Sequence, residues 1–208
     1  LANVPHGPAT VIAGPAPGTG SCWTEIDLDQ DAGPLPFQLP PAETFESSNG
    51  GYAGDPLWER GAPGPSPGAH SGQRVWATRL QGAYPDGVRA ALTSAPIPTA
   101  GARSVRLSFS HWYRIESAWD GGRVEVWNGA AWQVVHPLAG YPMSGLAGLD
   151  WGPGFSGSSD GWEGALFDIS AFAGPDLRIR FVFGSDSAVT DLGWYLDARR
   201  RYAFKQAH

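Results

Sequence analysis

Of 208 residues, 29 are Gly and 19 are Pro, so nearly a quarter of the chain interrupts or refuses helix, and a helical bundle is excluded. A net charge of −6, with 14 basic residues scattered apart from Arg199, Arg200 and Arg201, leaves no broad cationic face for a phosphate backbone and argues against nucleic acid. One cysteine, Cys22, excludes an internal disulfide, and no run of 18 apolar residues is present to span a membrane as a helix.

Taken in chain order, residues 1–42 read as an extended Pro-rich arm. Prolines at positions 5, 8, 15, 17, 34, 36, 40 and 41 surround one β-prone run, Ala9 to Ala13. That run is expected to pair with a sheet edge, in its own subunit or in a neighbour. Asp27, Asp29 and Asp31 alternate ahead of Gly33, a spacing that lets a chain curl around Ca²⁺, although Ala32 intervenes and a solvated acidic turn is the alternative. The absence of an initiator Met before Leu1 suggests a processed product or a fragment. Low charge and abundant Trp, Gly and Ser suit a secreted, extracellular bacterial protein.

From 43 to 208 the pattern changes to short apolar runs between Gly, Pro, Ser and Asp clusters, which predicts an all-β fold: a two-sheet antiparallel jelly-roll sandwich. Strands are predicted near 73–80, 88–93, 104–115, 122–127, 131–135, 163–169, 176–184 and 194–204. Period-2 alternation carries them: Val105, Leu107 and Phe109 face one way, Arg106, Ser108 and Ser110 the other. Asn128-Gly129 reads as a hairpin turn. The stretch 136–162 has little strand character and is expected to be functional or packed on the sheet.

Catalytic templates fit poorly. None of the five histidines pairs with another at metal-ligand spacing, and Gly157-Ser158-Ser159-Asp160-Gly161 matches G-x-S-x-G without the preceding strand and following helix that a nucleophile elbow needs.

A series of short segments then occurs in a recognisable order: Thr44-Phe45-Glu46, Leu57-Trp58-Glu59-Arg60-Gly61, Ala69-His70-Ser71-Gly72, Val75-Trp76-Ala77-Thr78 and Leu92-Thr93-Ser94-Ala95-Pro96. These are followed by His111-Trp112-Tyr113, Trp119-Asp120-Gly121-Gly122, Phe155 to Ser159, Gly184-Ser185-Asp186-Ser187 and Gly193-Trp194-Tyr195-Leu196-Asp197. Over residues 43–198 the chain resembles the MAM-like, calcium-stabilised jelly-roll modules of bacterial secreted proteins, including the accessory domains of immune inhibitor A-type peptidases. The resemblance implies a structural Ca²⁺ held by Glu46, by backbone carbonyls around Ser71 to Gln73 and by Asp197. Ordinary strand-edge acids are the alternative. The family's second acid after the terminal aromatic is missing, since Ala198 follows Asp197.

Glu116 and Asp120 make a further acidic pair, open to a metal or sugar-hydroxyl reading or to a turn aspartate accepting backbone N–H groups. Most of the tryptophans are expected in the core; Trp119, Trp151 and Trp162, on loops, are the candidates for ligand contact together with Asp120. The resulting expectation is a non-catalytic, extracellular Ca²⁺-binding module for adhesion to glycan or protein. The alternative is a structural subunit of a filament or surface assembly, a homo-oligomer in which the arm pairs with a neighbour.

Overall fold

The computed structural model describes residues 9–13, 24–28, 43–64, 66–102 and 104–204, with the backbone alone in the first two segments and beyond 197. The strands, in chain order, begin with β1 (Ala9–Ala13), β2 (Thr24–Leu28), β3 (Tyr52–Gly54), β4 (Glu59–Gly61) and β5 (Val75–Ala77). Then come β6 (Arg89–Ser94), β7 (Ser104–Ile115), β8 (Gly121–Trp127), β9 (Trp132–Val134) and β10 (Met143–Leu146). The last are β11 (Gly152–Gly154), β12 (Gly157–Ser158), β13 (Glu163–Asp168), β14 (Arg178–Gly184) and β15 (Gly193–Phe204).

Two antiparallel sheets face each other. One has the order β12-β7-β15-β5-β4 with β13 also pairing β7, and the other runs β3-β6-β14-β8-β9. The all-β antiparallel sandwich predicted from the alternation is therefore the fold. Odd-numbered residues of β7 (Val105, Leu107, Phe109, Tyr113, Ile115) meet Ile179, Phe181 and Phe183 of β14 and Val124 and Val126 of β8 in one core. The even face of β7 carries Trp112, which joins Val75, Ala77 and Tyr195 in a smaller cluster on the outside of that sheet. On the outside of the other sheet, the segment predicted to pack or function does pack: Leu146 and Leu149 bury against Val182.

The β-prone run 9–13 pairs with Thr24–Leu28 as a separate two-stranded ribbon, not with a sheet edge of the sandwich. Strand β2 is not foreseen in the sequence, where the alternating acids leave a cation loop and a solvated acidic turn as the two readings. Of that acidic run, Asp27 lies in β2 with its side chain outside the described residues, as do Asp29 and Asp31 altogether. The G-x-S-x-G segment is no elbow. The Ser159 hydroxyl accepts from the Tyr113 N–H at 3.0 Å, and strand β13 follows instead of a helix.

Trp194 is the hub of the core. Its indole lies within ring-contact range of Trp58, Phe109, His111, Phe155 and Phe181, and its N–H donates to Nδ1 of His111 at 3.1 Å. Because Nδ1 accepts, the imidazole proton sits on Nε2, which faces Glu163 at 3.3 Å. Burial lowers the His111 pKa to about 3. The folded state therefore excludes a proton that the unfolded chain takes up near pH 6.5. His111 contributes stability that is present above pH 6.5 and is expected to drain away as pH falls toward about 3. Urea unfolding of the parent and of His111→Phe at stepped pH checks this. The variant should lose about 1–3 kcal/mol at neutral pH, from the orphaned Trp194 N–H, and fall less steeply with acid.

Candidate functional site

Two groups of sequence-predicted residues are brought together, at different places on the sandwich. The first surrounds the turn 71–74. Asp197, on the outer face of β15 and fully buried, accepts the Ser71 N–H at 2.7 Å, with the Ser71 hydroxyl also within reach at 3.3 Å. Glu46 accepts the N–H groups of Gln73 at 2.9 Å and Arg74 at 2.8 Å through one oxygen, Oε1. Those two amides hold the Glu46 carboxyl below its usual pKa. Gly72 has φ +61, and a Cβ there would lie 2.5 Å from the Glu46 carboxyl carbon, so the turn closes over the acid only with glycine. Glu46, in the loop ahead of β3, and Asp197 of the last strand thus hold one turn; the resemblance implied backbone carbonyls of Ser71 to Gln73 beside these acids, whereas the hydrogen bonds that join the acids to the turn run through its amides.

The second group lies where β7 ends, β8 begins and β14 ends, so both sheets contribute. Asp120 precedes β8 and is fully buried. Its Oδ2 accepts from the Tyr84 hydroxyl at 2.8 Å and its Oδ1 from the Asp186 N–H at 2.7 Å. The Tyr84 oxygen in turn accepts the Glu116 N–H at 3.0 Å. Carboxylate oxygens of Glu116, Asp120 and Asp186 all lie within 4.8 Å of one another. Burial pushes the Asp120 carboxyl up, as desolvation and the charges of Asp120, Asp186 and Asp86 do for Glu116. The sequence pointed to Glu116 and Asp120 as a pair. Asp186 and Tyr84 were not foreseen at the site, since they lie 66 and 36 residues from Asp120. The available signal was an acid directly behind a strand end.

Directly beside the acids, Trp119 and Trp151 form an exposed pair, 47% and 69% accessible, with centroids 6.4 Å apart and planes at 63°. The two loops are joined by a hydrogen bond from the Gly148 N–H to the Trp119 carbonyl at 2.9 Å. Asp150 and Trp151 both hold positive φ, of 55° and 60°, an uncommon arrangement for two non-glycine residues in succession. The Asp150 carboxylate pairs with Arg89 of β6, and the Trp151 N–H donates to the Leu146 carbonyl at 2.8 Å. Trp162 does not join this pair. It packs partly buried against the outer-face cluster with its ring 5.6 Å from His70, and both His70 Nδ1 and Trp162 Nε1 are buried without a hydrogen-bond partner.

No protein-family model matches the chain. Among curated proteins it is 27% identical over 159 residues to bacillopeptidase F of Bacillus subtilis strain 168, a match covering 74% of this chain and 10% of that protein. It is 34% identical over 114 residues to the pre-pro-metalloprotease PrtV of Vibrio cholerae serotype O1 (strain M66-2), covering 51% of this chain and 11% of that protein. The chain spans about a tenth of the length of these relatives. Solved structures with some likeness include the xylan-binding domain from CBM 22, with a TM-score of 0.47, 11% identity, and 82% of this chain and 97% of that one covered. The K2 cleaved adhesin domain of Lys-gingipain gives 0.47 at 15% identity, covering 77% and 96%. The fold rests on the sheet order and register above.

Proposed function

We propose that the chain is a non-catalytic, extracellular accessory module that binds glycan through the Trp119–Trp151 pair. One observation carries this reading: two large indoles are left in solvent side by side, on loops joined to each other by a backbone hydrogen bond and to β6 by the Asp150–Arg89 ion pair. A side chain of this size is stabilised by burial, so an exposed pair held in a fixed geometry is an apolar platform awaiting a partner. Indole faces suit the C–H faces of sugar rings, and the neighbouring acids suit sugar hydroxyls. Similarity to about a tenth of two proteases fits an appended module whose catalytic part lies elsewhere in those proteins.

A structural subunit of an extracellular filament is the second reading. No specific observation favours it, because the run 9–13 offered to a neighbouring subunit already pairs with 24–28.

Native gels cast with soluble polysaccharides test the glycan reading. The parent is expected to be retarded by at least one of them, and Trp119→Ala and Trp151→Ala should each weaken binding at least tenfold, about 1.4 kcal/mol, without change in melting temperature. Retardation that survives both substitutions would place the ligand elsewhere, and no retardation on any polysaccharide would count against glycan.

The module is further proposed to carry a structural Ca²⁺ at the 71–74 turn. Two observations support it: Glu46 and Asp197 are hard oxygen donors brought to one turn from the first and last parts of the sandwich, and Glu46 commits only Oε1 to the turn amides. The cation would tie the two ends of the domain together in a fold with no internal disulfide. At a Ca²⁺ concentration a hundred times its dissociation constant the gain is about 2.7 kcal/mol. Glu46→Gln is expected to shrink the rise in melting temperature between chelator and Ca²⁺, and an undiminished rise would remove the site.

A further inference from the structure

We infer that Glu116, Asp120 and Asp186 form a second divalent-cation site, distinct from the 71–74 turn, which takes Ca²⁺ and fixes the loop that carries Trp119.

Three carboxylates converge within 4.8 Å, and the charge of a fourth, Asp86, bears on Glu116 and Asp120. Among the described residues no arginine, lysine or histidine forms a salt bridge with Glu116, Asp120 or Asp186. Arg114 of β7 and Arg89 of β6 pair with other acids, Asp191 at 2.7 Å and Asp150. Like charges gathered without a counter-charge repel, and a fully buried carboxylate such as Asp120 is costly unless a positive charge compensates it. Tyr84 and the Asp186 amide supply hydrogen bonds but no net charge.

An independent observation points the same way. The Oε2 oxygen of Glu116 is itself shielded from solvent and accepts no hydrogen bond, while the residue as a whole is partly buried. A buried carboxylate oxygen with no donor, facing two other carboxylates, is the arrangement a hard cation resolves, and one that protein hydrogen bonds alone leave unresolved. Oxygen-only donors favour Ca²⁺ over the transition metals, since neither imidazole nor thiol is present in the cluster.

The consequence for the binding surface follows from the chain itself. Trp119 lies between Glu116 and Asp120, and its carbonyl holds the Trp151 loop through Gly148. A cation bridging the ends of β7, β8 and β14 would therefore set the Trp119 loop, and glycan binding would depend on Ca²⁺. This last step rests on the glycan reading; the cation site does not.

Terbium(III), a luminescent substitute for Ca²⁺ that tryptophan sensitises at short range, tests the site directly. Titrations are made on the chelator-treated chain in a Glu46→Gln background, so that the 71–74 turn does not contribute. Saturable tryptophan-excited emission that Ca²⁺ displaces is expected, and Glu116→Gln and Asp186→Asn should each weaken it at least tenfold with unchanged circular dichroism. Emission equal to that of the background protein in both variants would overturn the site, as would emission that Ca²⁺ does not displace. Melting gives a second readout. In chelator Glu116→Gln should melt at or above its background because repulsion is relieved, and in Ca²⁺ below it. An equal drop in both conditions would make Glu116 a merely structural residue and overturn the proposal. Polysaccharide gels with and without Ca²⁺ then separate the two readings: cation binding without retardation sinks glycan alone, and retardation with no cation binding sinks the site alone.

Discussion

The six-membered ring of Trp194 lies so close to the backbone of Gly122 that a Cβ built there would stand 2.2 Å from ring carbon Cε3. Trp194 begins the main run of β15 in one sheet, and Gly122 belongs to β8 in the other, so this contact sets the spacing of the sandwich at one end. Any side chain at 122 would have to push the indole off His111 or part the sheets, at a cost of about 1–3 kcal/mol or more. The Trp194 backbone N–H donates to Thr78 Oγ1 at 3.0 Å and its carbonyl accepts from the Thr78 N–H at 3.0 Å, which brings the loop leading to Tyr84 to the same end. Everything of functional interest in the second site hangs from this joint. Asp120 is two residues before Gly122, Tyr84 reaches Asp120, and Phe155, in contact with Trp194, bridges the backbone of Gly122.

That arrangement explains how a loop-rich end can be rigid without a disulfide. The strand ends enter from an aromatic core that leaves them little freedom, and the loops beyond are short and cross-tied. Gly148 lies against Gly184, Arg123 reaches from β8 to the Leu149 carbonyl at 2.9 Å, and Arg123 and Arg180 share Glu125 in a buried network under the same loop. A platform for weak, repeated contacts with a polymer needs such preorganisation, because each side chain or loop ordered on binding subtracts from affinity.

The long strands were legible because apolar residues alternate in their sequence: Val105, Leu107 and Phe109 of β7 and Ile179, Phe181 and Phe183 of β14 reach the main core, and the predicted limits 104–115 and 176–184 fall on or within two residues of those observed, although Trp112 and Val182 are buried on the outer faces as well. The three-residue strands β3, β4 and β11 were not, since a piece that short carries no period. The segments 9–13 and 24–28 were read separately, and nothing local in either says that they pair. At the sites, the family resemblance named Glu46, Ser71, Gln73 and Asp197 together, and the four do meet at one turn, through amide N–H groups and not through the backbone carbonyls it implied. The sequence also singled out Trp119 and Trp151 as loop residues and could not tell that they touch, nor that Trp162 would instead pack over the outer-face cluster. Asp186 illustrates the general limit: its place beside Asp120 comes from the hairpin-free crossing of β14 past β8, a matter of topology, not of neighbouring residues.

The acidic cluster of Glu116, Asp120 and Asp186, next in the chain to exposed Trp119, is proposed to be completed by a cation. Long-wavelength anomalous diffraction from crystals grown in Ca²⁺ tests it most directly. The expected result is an anomalous peak with oxygens of Glu116, Asp120 and Asp186 at about 2.3–2.6 Å, the buried Glu116 Oε2 among them. A peak confined to the 71–74 turn, with only water between the three carboxylates, would contradict it.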